Sequence, residues 1–169
     1  SRGLIVLNVL KFSKIEESLD YLSTLNIAEY NNFNLLIANR EECYWIKHDI
    51  DNEKIGIKRI NEGITIMTDK DLNDQNDNKI SLYYKLFSAA SKPNPSKNDW
   101  KDWKKILTNT EPYKFGDYNN ICFIHQKKNY GTKSSALIAL PNIKKTREKI
   151  VFKATESFPT SKNYIDVKI

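Results

Sequence analysis

Apolar positions change their spacing along the chain, and the changes mark out its elements. The first run, Leu4-Ile5-Val6-Leu7-Asn8-Val9-Leu10, has almost no polar face. Ser1 is a good N-cap residue, so residues 3–11 fit a helix; the Val and Ile content fits a buried strand equally well. Ile15, Leu19, Leu22 and Leu25 then follow helical spacing over residues 15–25, with Ser13 as the expected cap. From residue 33 the reading changes to strands. Residues 33–39 and 42–48 read as two strands joined at Arg40-Glu41. Residues 54–60 and 64–68 read as a second hairpin around Asn61-Glu62-Gly63, where Asn and Gly supply the positive backbone angles of such turns.

The second half alternates again. Residues 69–78 are a polar loop, and residues 79–90 form a helix with Ile80, Tyr83, Tyr84 and Phe87 on one face. Ser91-Lys92-Pro93-Asn94-Pro95 stops it. Residues 99–107 give a short helix whose Trp100, Trp103, Ile106 and Leu107 read as packing anchors. Residues 120–126 and 132–140 are expected to form a hairpin across 127–131, with a last strand over 149–156 and an extended or poorly ordered final dozen residues. Antiparallel strands interrupted by helices give an α+β class, and no repeat or linker divides the chain, so residues 1–169 read as a single domain.

Composition agrees with a globular protein: 169 residues, 40% hydrophobic, 28% charged, and 11% aromatic with three Trp, which opposes disorder. The net charge of +6 gathers late in the chain. Between Lys144 and Lys168 seven Lys/Arg face three acids (Glu148, Glu156 and Asp166). No nucleic-acid motif and no Arg-rich run accompanies this tail, so a solvated surface is favoured over a nucleic-acid interface, with a weak anion or phosphate preference left open. Cys43 and Cys122 form neither a disulfide framework nor a CxxC metal pair, and no Asn-x-Ser/Thr sequon is present. The first apolar run is too short to span a bilayer and lacks a cleavage site, which points to a cytoplasmic protein without a membrane span.

Candidate chemistry is sparse. GxSxG, P-loop, GxGxxG and HExxH patterns are all missing. His48 and His125, at or near strand ends, read as hydrogen-bonded strand residues before metal or haem ligands, and no metal site is expected. Asp69, Asp71 and Asp74 imitate the start of a calcium loop without its Gly and final Glu. The most informative stretch runs from Tyr130 to Pro141. A glycine turn rich in hydroxyls, with Thr132, Lys133 and Ser134, leads into an apolar strand. Such an entrance presents a ligand site in many folds and opens an ordinary hairpin in many others.

Five strings occur in a familiar order: Ser1-Arg2-Gly3, Tyr30-Asn31-Asn32-Phe33-Asn34-Leu35-Leu36, Thr68-Asp69-Lys70-Asp71-Leu72-Asn73-Asp74, Asp99-Trp100-Lys101-Asp102-Trp103 and Gly131-Thr132-Lys133-Ser134-Ser135. Together they resemble the NRDE family, also called the transport and Golgi organization protein 2 family. The stretches 71–74 and 134–141 look most like its bacterial members. The resemblance implies an N-terminal-nucleophile-hydrolase-like four-layer αββα sandwich of antiparallel sheets. It also implies that these residues are the C-terminal two-thirds of such a domain. The family's Met-Cys start and its Asn-Arg-Asp-Glu motif would lie on an upstream N-terminal segment, which becomes an expected partner.

In the wider class of such enzymes a cysteine thiol attacks an amide while its own α-amine acts as base, and a basic residue tunes the thiol. By position Asp69 falls close to the oxyanion-stabilising Asn of related amidases, although a carboxylate donates no hydrogen bond unless protonated. Lys133 falls where many relatives carry Arg, which keeps the charge and loses the fork. The resemblance therefore makes Asp69 and Lys133 candidate catalytic groups. Asn34, Thr132, Ser134 and His125 become candidates for binding a small-molecule substrate or ligand. Eukaryotic relatives are associated with haem trafficking, lipid or acyl-CoA metabolism and secretory organisation. Two functions follow: an amidohydrolase needing no cofactor, or a non-catalytic carrier of haem or a lipid-like ligand.

Overall fold

Helix α1 (Arg2–Val9) settles the open choice at the start of the chain. Ser1 sits at its N-cap without a side-chain hydrogen bond, and only Ile5 and Val9 are buried. Helix α2 (Ile15–Ser23) follows its expected spacing, with Glu16 and Glu17 in the first turn, where the helix dipole favours them. The expected cap is corrected: Lys14 holds that position, extended and without a side-chain bond. Ser18, buried in α2, ties the two helices instead, its hydroxyl donating to the Val9 carbonyl at 3.3 Å.

The coordinates are a computed structural model that describes residues 1–51, 54–111, 119–125 and 130–168. They fall into two compact units, Ser1–Leu72 and Asn73–Ile169. The first unit completes its core with strands β1 (Phe33–Ala38), β2 (Cys43–His48) and β3 (Gly56–Arg59), antiparallel in that order. Pairing sets Leu35 beside Ile46 and Ile37 beside Tyr44. Alternation places these on one face, where they pack with Ile5, Val9 and Leu22. The opposite face carries Asn34, Trp45 and Lys47. The predicted strand over residues 64–68 is not formed: after β3 the chain leaves the sheet edge. The carbonyl of Thr68 is taken by the Asn34 amide at 2.9 Å, and Lys47 binds Asp71 at 2.6 Å. Side chains of the outer face thus contact Thr68 and Asp71, at and just after the end of the expected strand.

In the second unit, helix α3 (Asn78–Ala89) begins at Asp77, whose carboxylate accepts from the Ile80 amide at 2.9 Å. Ile80, Tyr83 and Phe87 are buried as their spacing requires, while Tyr84 is only half-buried. Helix α4 (Lys101–Leu107) follows. Trp100 is buried with Leu137 and Tyr164, and Trp103 meets Phe87 edge-on at 5.2 Å, so the tryptophans are core anchors.

Short strands β4 (Ile124–His125) and β5 (Tyr130–Gly131) pair with each other. The expected long hairpin stops there. Strand β6 (Ala136–Ala139) instead pairs with β7 (Val151–Ala154), and β7 pairs with β8 (Ile165–Asp166). Of the two readings of the final dozen residues, the extended one describes Ile165–Asp166. Tyr164 is buried with its hydroxyl on Ser135 Oγ at 2.7 Å, and the buried Lys153 binds Asp166 at 2.6 Å. The architecture is α+β, with three small antiparallel sheets among the described residues.

One local contact carries a pH prediction. The Asp102 carboxylate accepts the Ser91 amide at 3.0 Å, joining α4 to the end of α3. That backbone N–H, chiefly, holds its pKa below the ordinary value of 3.8. A depressed folded-state pKa stabilises the fold above about pH 4 and loses that stabilisation as pH falls through the lower folded value. Asp102→Asn is expected to unfold at lower urea than the parent at pH 7, with the gap closing below about pH 3. Urea titrations across that range measure it, and a gap independent of pH contradicts it.

Candidate functional site

The six candidate residues divide between the two units. Asn34 and Asp69 belong to the first. The Asn34 amide is fully engaged: Nδ2 donates to the Thr68 carbonyl at 2.9 Å, and Oδ1 accepts from Trp45 Nε1 at 2.9 Å. It therefore fixes the residue that precedes Asp69. Asp69 itself is exposed. Beside Asn34 lies a cavity of about 340 Å³ between α1 and β1, walled by Ile5, Val6, Phe33 and Leu35, with Arg2 at its margin.

The other four belong to the second unit. Gly131 brings β5 against the Phe123 backbone so closely that any Cβ there would overlap the Phe123 carbonyl oxygen. Glycine is required at that point by this close approach. Thr132 follows and staples the turn. Its amide donates to the Phe123 carbonyl at 2.9 Å, while its hydroxyl accepts from the Phe123 amide at 3.2 Å and donates to the Ile121 carbonyl at 3.3 Å. Lys133 and Ser134 then emerge exposed. Thr132 and Lys133 line a second cavity of about 340 Å³ with Tyr130, Glu156, Ser157 and Phe158. Lys133 has no carboxylate within ion-pairing distance among the described residues. Ser134 lies outside this lining, as does His125, which is half-buried on β4 opposite Tyr130.

Glu156, Ser157 and Phe158 were missed by sequence reasoning. The β6–β7 register brings them there: Ala136 faces Ala154, the Ser135 amide donates to Thr155 Oγ1 at 2.9 Å, and the next residue is Glu156. Pairing the expected strand 149–156 with residues 132–140 was the signal available.

The remaining chemistry is quiet. His48 is buried, with Nε2 donating to the Tyr30 carbonyl at 3.1 Å and its ring 5.6 Å from that of Phe33. Its Nδ1 is buried with no hydrogen-bond partner among the described residues. Burial pushes the thiols of Cys43 and Cys122 up, which disfavours the thiolate in both. Among the described residues no group of three His, Cys, Asp or Glu side chains could hold a metal ion, and no helix is long and apolar enough to cross a membrane.

No curated protein and no solved structure matches the chain. The family model for Transport and Golgi organisation 2 matches residues 1–152, and the chain belongs to that family, the one its five strings resemble.

Proposed function

We propose that these residues form the pocket wall of a cysteine N-terminal-nucleophile hydrolase acting on C–N amide bonds. In this reading the fold is the αββα sandwich of that class, and the nucleophile lies on an upstream segment of the same protein. The observation that carries the reading is Lys133, a cation at a cavity of about 340 Å³ with no carboxylate partner among the described residues. Such a charge beside a thiol favours the thiolate, the species that attacks the amide carbon. The α-amine of the cysteine takes the thiol proton and returns it to the leaving amine; water then cleaves the thioester.

Within this reading Thr132 shapes the wall, because the backbone already uses its polar atoms. Lys133 faces the substrate. Oxyanion stabilisation falls to backbone amides. The test is an amide library incubated with the natural full-length polypeptide. Amine release that Lys133→Met lowers roughly a hundredfold, with melting temperature unchanged, is expected. No release from any amide, or release that Lys133→Met leaves untouched, overturns it.

A second reading has its own observation. Leu4 and Leu7 of helix α1 and Leu10 at its C-cap are more than half exposed, and Ile5 and Val6 of the same helix line the cavity at Phe33 and Leu35. An apolar surface of this kind suits a carrier of haem or a lipid-like ligand. A Soret shift at micromolar haem that Leu4→Ser/Leu7→Ser abolishes supports this reading, and no shift removes haem as the ligand.

A further inference from the structure

The basic tail is not used by either reading, and the fold gathers part of it into one place. A cavity of about 520 Å³ opens between residues 93–96 and 139–149. Pro93, Pro95 and Pro141 stand in its wall, and their fixed backbone angles make that wall stiff before any ligand arrives. Asn94 locks one side: its carboxamide oxygen accepts from Ser96 Oγ at 2.8 Å and from the Lys97 amide at 3.2 Å. The other side is a run of turns. The Lys145 amide donates to the Asn142 carbonyl at 2.8 Å, and the Glu148 amide donates to the Lys145 carbonyl at 3.1 Å.

Charge is distributed unevenly in this cavity. Three cations and one acid line it: Lys145, Arg147, Lys149 and Glu148. Lys145 binds Glu148 at 3.1 Å, so that pair cancels. Arg147 and Lys149 remain, and neither has a carboxylate within ion-pairing distance among the described residues. Two uncompensated cations two residues apart, lining a cavity that three prolines also wall, fit a compact dianion. The Arg147 guanidinium adds a planar fork suited to phosphate oxygens. The volume lies in the range of small-molecule sites. No lining residue is aromatic, so the cavity offers no platform on which bases stack, which disfavours a nucleic-acid strand.

We infer that this cavity is a binding site for the phosphate or diphosphate group of a small molecule, held by Arg147 and Lys149. Inorganic pyrophosphate is the probe, titrated at constant ionic strength into the isotopically labelled full chain and followed by amide NMR shifts. Saturable shifts confined to residues 94–97 and 139–149 are expected, with affinity weakened at least roughly tenfold in the Arg147→Ala/Lys149→Ala variant. Lys58→Ala, on the exposed edge strand β3, should leave affinity unchanged. A melting curve for each variant shows that the fold is retained. No saturable shift at millimolar pyrophosphate overturns the inference, as do scattered shifts that the double variant leaves unaltered. Parallel arms with oligothymidylate and with phosphatidic acid vesicles identify the source of the phosphate. Tighter binding to either than to pyrophosphate, at equal phosphate concentration, also overturns it.

Discussion

Gly131→Ala is expected to destabilise the second unit by about 3 kcal/mol, the cost of overpacking plus the lost hydrogen bonds of one turn. The methyl group would overlap the Phe123 carbonyl oxygen, and the Ile124 Cα lies only 3.0 Å away. Both obstacles are backbone, so no side chain can rotate aside. The same carbonyl accepts the Thr132 amide, and Thr132 Oγ1 bridges Phe123 and Ile121. Relieving the clash therefore opens the β4–β5 pairing and the staple together. Gly3→Ala is the contrast. That glycine lies inside α1 with nothing nearer than Ser1 Oγ at 3.8 Å, so alanine should stabilise by roughly 0.5–1 kcal/mol. Urea unfolding of both variants measures the difference. A Gly131→Ala variant within about 0.5 kcal/mol of the parent contradicts the close approach.

Ile46→Ala is expected to cost about 4 kcal/mol in the first unit, toward the upper end for such truncations. Ile46 is fully buried on the central strand, facing Leu35 on one neighbour and Ile57 on the other, with Ile5, Val9 and Leu22 in the same cluster. A strand held by ladders on both sides cannot move in to fill the void, so most of the cavity persists. Amide hydrogen exchange in β1 and β2 reports the loss. Ile57→Ala, on the exposed strand β3, should cost less than about 1 kcal/mol, and equal effects at the two sites would refute this account of the core.

The sequence was most readable where one face of an element alone decides burial. Ile15, Leu19 and Leu22 predict α2, and the alternation through Phe33, Leu35 and Ile37 predicts β1. It was least readable where strands choose partners. Residues 136–139 could pair with the nearby apolar residues 120–126 or the distant 151–154. The choice coincides with hydroxyl contacts that no periodicity reveals: Ser135 with Thr155, and Tyr164 with Ser135. Residues 64–68 have strand composition, yet Asn34 and Lys47 hold the segment that follows them across the sheet. The tail left extended and poorly ordered readings open, and burial of Tyr164 and the Lys153–Asp166 pair anchor it as an extended strand.

The candidate site was half legible. A hydroxyl-rich glycine turn announces polar groups at a strand entrance. Whether those groups face a ligand or the backbone depends on distances of an ångström, which composition does not encode. Thr132 and Asn34 turn inward to the backbone, whereas Lys133 is left exposed at the cavity. Glu156 reaches the same cavity only through the β6–β7 register.

The most direct test of the role given to Lys133 is the pH dependence of cysteine alkylation in the natural full-length polypeptide. With Lys133 present, the nucleophilic cysteine of the proposed hydrolase should reach half-maximal reactivity at least about one pH unit below the ordinary thiol value of about 8.5. In Lys133→Met the midpoint should return toward that value. An unreactive cysteine, or a midpoint identical in the two proteins, would contradict the account.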